Sequence, residues 1–154
     1  MIRLVTLSRD QKEGISEFAE PLANLPFVDL KIAISQEGRF VPHGQMPEFL
    51  NSLDVYVLAS RSEGFPLKGL EASACGCAIV TTRVGGMEDL IIDGRTGIFL
   101  ERSMKDLIGK ITMLNENRGR VRKLGRACRQ VVESRWGWET RAEDWYKFIR
   151  MNVK

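Results

Sequence analysis

The sequence predicts a three-layer α/β domain with a mostly parallel sheet, and three observations carry that reading. Apolar runs of strand length, among them Ile2–Leu7, Val28–Ile34 and Val55–Ala59, alternate with stretches of helical spacing. The Val55–Ala59 run is unbroken, as expected of a strand covered on both faces. Glycine turns punctuate the segment from Leu53 to Leu100, which reads strand, glycine turn, helix, strand, double-glycine turn, helix, strand.

Taken in order, Ile2–Leu7 is a buried strand. After the polar loop Ser8–Gly14, Ile15, Phe18, Ala19 and Leu22 fall on one helical face. Val28–Ile34 is the next strand. Only Ser35–Arg39 separates it from the apolar pair Phe40-Val41, fewer than the dozen or so residues a parallel crossover needs, so a tight connection around Gly38 is expected there. After Val55–Ala59, Pro66 suits the first turn of a helix, where its missing N–H costs nothing. Leu67, Leu70 and Ala74 mark one face of that helix, and Cys75-Gly76 stops it, with Gly76 able to take the left-handed conformation. Gly85-Gly86 and Asp93-Gly94 read as tight turns, and Glu88 as a carboxylate favouring a helix start. From Ser103 on, two helical stripes appear, Met104-Leu107-Ile108-Ile111-Leu114 and Val121-Leu124-Cys128-Val131-Val132. A last segment carries Trp136, Trp138, Trp145, Tyr146 and Ile149, large aromatics expected to act as packing anchors.

The chemistry concentrates after the Val55–Ala59 strand. Turns at the carboxyl ends of parallel strands form a ligand crevice, and the helices that follow aim free amide N–H groups into it. Glu63 lies in such a turn, Gly64 allows backbone to approach a ligand, and Glu71 lies one turn into the next helix. A carboxylate accepts two hydroxyl hydrogen bonds, which is how acidic side chains hold a ribose or a sugar ring. A phosphorylated ligand is the first candidate.

Asp54, Ser60, Glu63, Gly64, Phe65, Glu71, Ala74, Gly76, Gly85, Gly86, Glu88, Asp93, Gly94 and Gly97 meet an ordered pattern. In it the chain resembles the C-terminal, donor-binding domain of retaining glycosyltransferases of the GT-B fold, the large family that includes sucrose synthase. That resemblance implies a metal-independent hexosyltransferase. It places Glu63 at the donor sugar, Glu71 on the nucleotide ribose, and the backbone of Gly64, Phe65, Pro66 and Leu67 against sugar and phosphate. It gives Arg9 and Lys12 the donor diphosphate, although they lie closer together than the family's pair and Glu13 precedes Gly14. Two cations there would offset charge that grows as the glycosidic bond breaks. Val41, Pro42, His43 and Gly44 match a short strand and glycine turn bordering the nucleotide. The shortened Ser35–Arg39 connection leaves the base open among UDP-, GDP- and ADP-sugars. The resemblance further implies an N-terminal acceptor-binding domain or subunit, without which the chain binds donor but transfers slowly or not at all. A stand-alone nucleotide-sugar-binding module is the alternative.

At 154 residues, 44% of them hydrophobic and 28% charged, the chain suits one domain, residues 1–154, with a full core. MIRLVTL lacks a signal-peptide layout, and three cysteines without a histidine cluster fit reduced thiols in the cytoplasm better than a disulfide or zinc site. There is no Asp-x-Asp motif to hold a divalent ion on a diphosphate, and no cofactor or metal is expected. Arg118, Arg120, Arg122, Lys123, Arg126 and Arg129 form a basic row read as a solvated outer face, with peripheral contact to an anionic membrane as the sharper alternative. Without interleaved aromatics the row does not point to nucleic acid.

Overall fold

The computed structural model describes residues 1–6, 15–32 and 41–153. Five strands, β1 (Ile2–Thr6), β2 (Val28–Ile32), β3 (Val55–Leu58), β4 (Ala78–Thr81) and β5 (Ile98–Phe99), form one sheet in the order β2-β1-β3-β4-β5. Every neighbouring pair is parallel, in the register Leu4 to Leu30, Leu4 to Val55, Val55 to Ala78 and Val80 to Ile98.

Alternation along β3 divides the core into two layers. Val55 and Val57 join Ile2, Phe18, Leu22, Leu107, Ile111 and Leu114 on one face, whereas Tyr56 and Leu58 join Leu50, Ala72, Ile79, Met87 and Leu90 on the other. The first face is covered by a π-turn, Ile15–Ala19, that runs into α1 (Glu20–Ala23), and by α5 (Met104–Glu116). The second is covered by α2 (Met46–Asn51), α3 (Leu67–Ala74) and α4 (Met87–Leu90). The long α6 (Arg118–Arg135) serves both, giving Val121 and Leu124 to the first layer and Cys128 and Val132 to the second. Ser103 and Asn117 cap α5 and α6 by accepting hydrogen bonds from the Asp106 and Arg120 amides. The sheet is thus sandwiched between helices, the three-layer α/β arrangement expected.

Three expectations need correction. Val41 and Pro42 lie in no strand. His43–Gln45 forms a 3₁₀ turn leading into α2, so the crossover from β2 runs over residues 33–54 to β3 and has ample length. The connection around Gly38 lies outside the described residues. In α3 the buried face is Gly69, Ala72 and Ser73, while Leu67 is 61% exposed and Ala74 is also exposed. The reason is close packing: a Cβ on Gly69 would come within 2.8 Å of the Met87 sulfur. Lastly, α7 (Trp138–Asn152) buries none of its residues, so Trp138, Trp145, Tyr146 and Ile149 are not anchors of this domain.

Candidate functional site

The chain leaves β1 toward β2 on one side and then returns to β3 on the other. The crevice outside the carboxyl ends of β1 and β3 is therefore the sheet's switch point, where doubly wound folds take ligands. The loop after β3 opens onto it. The loop after β1, which carries Arg9 and Lys12, lies outside the described residues.

The β3–α3 loop is fixed from below and from the side. Thr82 Oγ1, at the end of β4, donates to the Ser60 carbonyl at 2.7 Å, and Ser60 Oγ donates to Glu63 Oε1 at 2.8 Å. The Gly86 amide donates to the Gly64 carbonyl at 3.1 Å. Gly85, at φ +44°, presses so closely on this loop that a Cβ there would meet the Gly64 carbonyl oxygen at 2.0 Å. A Cβ on Gly86 would meet the Phe65 ring at 2.4 Å. Gly64 itself is exposed, and among the described residues a Cβ there would meet nothing within 4 Å. One side of the loop is sealed against the double glycine and the other stands open. Pro66 is buried as the residue preceding α3, with φ −78° and ψ 85°. Its carbonyl accepts from Gly69 and Leu70, while the first amides of α3 have no partner within the helix.

Glu71 is half-buried one turn into α3, with Lys68 Nζ 2.8 Å from Oε2. Glu63 is half-buried as well. Tyr56 is buried on β3. Burial pushes its phenol well above the ordinary range, and the Glu63 and Glu71 charges push it the same way. Val41 is half-buried against the second core layer. The structure thus assembles Glu63, Gly64, Phe65, Pro66, Leu67 and Glu71 around the amino end of α3. Lys68 was missed as the counter-ion of Glu71; spacing of three on a helix signals such a pair. Trp136 was missed as a neighbour of the loop: its ring lies 5.1 Å from that of Phe65, a pairing across distant segments that has no local signal.

A cavity of about 390 Å³ adjoins this loop on the β5 side, bordered by Ser60, Arg61, Thr82, Arg83, Arg102 and Lys110. Its cations serve the protein itself. Arg102 forks onto Glu17 at 2.7 and 3.0 Å, Lys110 pairs with Asp106, and Arg83 stacks 3.8 Å above the Phe99 ring. Among the described residues no group of three His, Cys, Asp or Glu gathers as a metal site, and no helix is long and apolar enough to cross a membrane. Cys75, Cys77 and Cys128 are free thiols.

This fold recurs in solved structures. The C-terminal domain of a glycosyl transferase group 1 family protein, LpcC, from Francisella tularensis aligns with a TM-score of 0.71 at 20% identity, covering 89% of this chain and 87% of that one. Anabaena HepE, solved in complex with UDP-glucose, aligns at 0.81 and 15% identity over 97% of this chain and 49% of its own. The fold is that of the C-terminal half of a GT-B glycosyltransferase. In sequence, the family model for glycosyl transferases group 1 matches residues 38–131, and the chain belongs to that family. A D-inositol 3-phosphate glycosyltransferase of Arthrobacter sp. (strain FB24) is 36% identical over 123 residues, 74% of this chain and 29% of the relative. The chain therefore spans less than a third of that relative's length.

Proposed function

We propose that this chain is the donor-binding half of a retaining, metal-independent hexosyltransferase that takes a nucleotide-diphospho-sugar. One observation carries the reading: at the switch point of the sheet, Glu63 and Glu71 flank the amino end of α3 while the Gly64 side of their loop stands open. A nucleoside diphosphate fits that arrangement, with the helix amides on phosphate, Glu71 on the ribose hydroxyls and Glu63 on the sugar. The backbone of Gly64, Phe65, Pro66 and Leu67 follows the sugar and phosphates, with Val41 at the nucleotide side. Arg9 and Lys12 neutralise the departing diphosphate. The UDP-glucose bound by HepE, whose fold this chain shares, supports the donor class.

The acceptor is held by an N-terminal domain or a partner subunit, and the exposed aromatic face of α7 suits its docking. Contact of the α6 basic face with an anionic membrane belongs to the same reading, as does a reducing cytoplasm for the free thiols. A second reading is a nucleotide-sugar-binding module without turnover of its own.

Titration calorimetry with UDP-, GDP- and ADP-sugars, with and without EDTA, tests the proposal. At least one donor binds, and EDTA leaves the affinity unchanged. Failure of every donor, or binding abolished by EDTA, overturns the site. Transfer with retention is restored by an added acceptor-binding domain, because positioning the acceptor contributes much of the rate. Robust transfer by the isolated monomer would remove the need for a partner, and donor binding with no transfer in any combination would favour the binding module.

A further inference from the structure

The Phe65 ring has two neighbours that do not belong to its own loop. One is Gly86, whose missing side chain leaves the space the ring occupies. The other is Trp136, with centroids 5.1 Å apart and ring planes tilted by 36°, within the range of favourable aromatic pairs. Trp136 does not come from the sheet or its loops. It ends α6, donating its amide to the Val132 carbonyl at 2.8 Å, and the Arg141 guanidinium of α7 lies 5.7 Å from its ring. The indole packs on the second core layer and is therefore anchored. Phe65 is 40% exposed and meets this anchored ring.

We infer that Trp136 is a positioning residue for the donor loop, acting through the Phe65 ring. Phe65 sits between Gly64, whose carbonyl binds the Gly86 amide, and Pro66, whose carbonyl binds the Gly69 and Leu70 amides. A ring that meets both Gly86 and Trp136 fixes both carbonyls, and with them the direction of the amides at the start of α3. Trp136 also stands two residues before α7, so the start of α7 is joined through it to this loop. The inference rests on the donor-binding reading, but its first test needs no donor.

Hydrogen exchange of the Gly86, Gly69 and Leu70 amides is the direct measure. Trp136→Ala speeds exchange there by about tenfold, the scale of one aromatic pair, relative to amides of β4; Trp136→Phe restores most of the protection. Faster exchange across the whole sheet in step would show a packing role only and overturn the inference, as would unchanged exchange at the three amides. If Trp136→Ala does not fold, the comparison of Trp136→Phe with Phe65→Ala carries the test: loop exchange near wild type in the first and fast in the second is expected, and the reverse overturns it. Titration with UDP-, GDP- and ADP-glucose and with the three nucleoside monophosphates adds the functional arm. Trp136→Ala weakens the sugar nucleotide by about tenfold, leaves the monophosphate unchanged, and adds nothing in a Phe65→Ala background. A loss that persists in that background overturns the inference. A wild-type chain that binds no donor defeats the donor reading alone, and the exchange arm still decides this one.

Discussion

The two rims of the sheet treat carboxylates in opposite ways. At the amino rim, Asp54 accepts from the Arg3 amide at 2.8 Å and from the Arg3 guanidinium at 3.1 and 3.2 Å, and Arg118 Nη2 reaches it at 2.9 Å. Burial alone would raise its carboxyl, but those donors outweigh it and lower the pKa to about 2. At the carboxyl rim, Glu63 has the Ser60 hydroxyl and Glu71 has Lys68, and each has a second oxygen without a partner among the described residues. Fully engaged charge at one rim holds β1, β3 and α6 together, while the carboxylates at the other have fewer partners among the described residues. Substitutions should therefore separate cleanly, stability falling at one rim and binding at the other.

Gly85 is where that division breaks, because the carboxyl rim also contains a structural contact. Gly85→Ala forces a side chain onto φ +44° and into the Gly64 carbonyl, and should destabilise by about 4 kcal/mol through strain and overpacking together. Urea denaturation measures it. A loss below about 1 kcal/mol would mean that the two loops part easily.

Asp54→Ala should cost about 3 kcal/mol, since it strips a part-buried carboxylate of several charged hydrogen bonds and strands Arg118. Donor affinity should not change. The sign of the pH effect follows from the lowered pKa. The contribution is fully present above the ordinary value near 3.8 and is lost as pH falls through about 2. Asp54→Asn should lack this decline between those values. Equal acid sensitivity in both proteins would assign the decline to other carboxylates.

The carboxyl-rim acids were legible in the sequence because their surroundings are local. The strand, the glycine turn and the helix that place Glu63 and Glu71 span residues 55–74, and each has its own signal. What was not legible depends on partners distant in the chain. The buried face of α3 follows from Met87 and Tyr56 closing on Gly69, and no helical spacing announces that Gly69, Ala72 and Ser73 are its most buried residues while Leu67 is exposed and Leu70 packs only partly against the core. The aromatics of α7 form a helical stripe like those of α5 and α6, yet Trp138 is 90% exposed. An apolar stripe specifies that a face needs covering, not which surface covers it. Gly85-Gly86 read as a turn, while its close fit to Gly64 and Phe65 emerges only once β3 and β4 pair.

Glu71→Ala should leave the denaturation midpoint nearly unchanged, because its visible partner is a surface Lys68 three residues away. It should weaken free nucleoside diphosphate and nucleotide-sugar alike by about 2 kcal/mol, the cost of charged hydrogen bonds to ribose. Calorimetry with both ligands checks the equality. A loss confined to the sugar-bearing ligand would move Glu71 to the sugar.

Glu63→Ala should give a smaller effect than Glu71→Ala and a more selective one. Its carboxylate is steadied by Ser60, which the Thr82 hydroxyl in turn ties to β4, so it is held in place rather than free to search for partners. On the proposed donor site, a group so placed should contribute to one part of the donor only. Glu63→Ala should weaken the nucleotide-sugar by about 1 kcal/mol and leave the free nucleoside diphosphate unaffected. Ser60→Ala should produce a smaller loss with the same selectivity, since it loosens the carboxylate without removing it. Comparing the four affinities decides the assignment. Equal losses for both ligands in Glu63→Ala would place Glu63 on the nucleotide, and a Ser60→Ala loss without selectivity would show that the hydroxyl supports the loop as a whole.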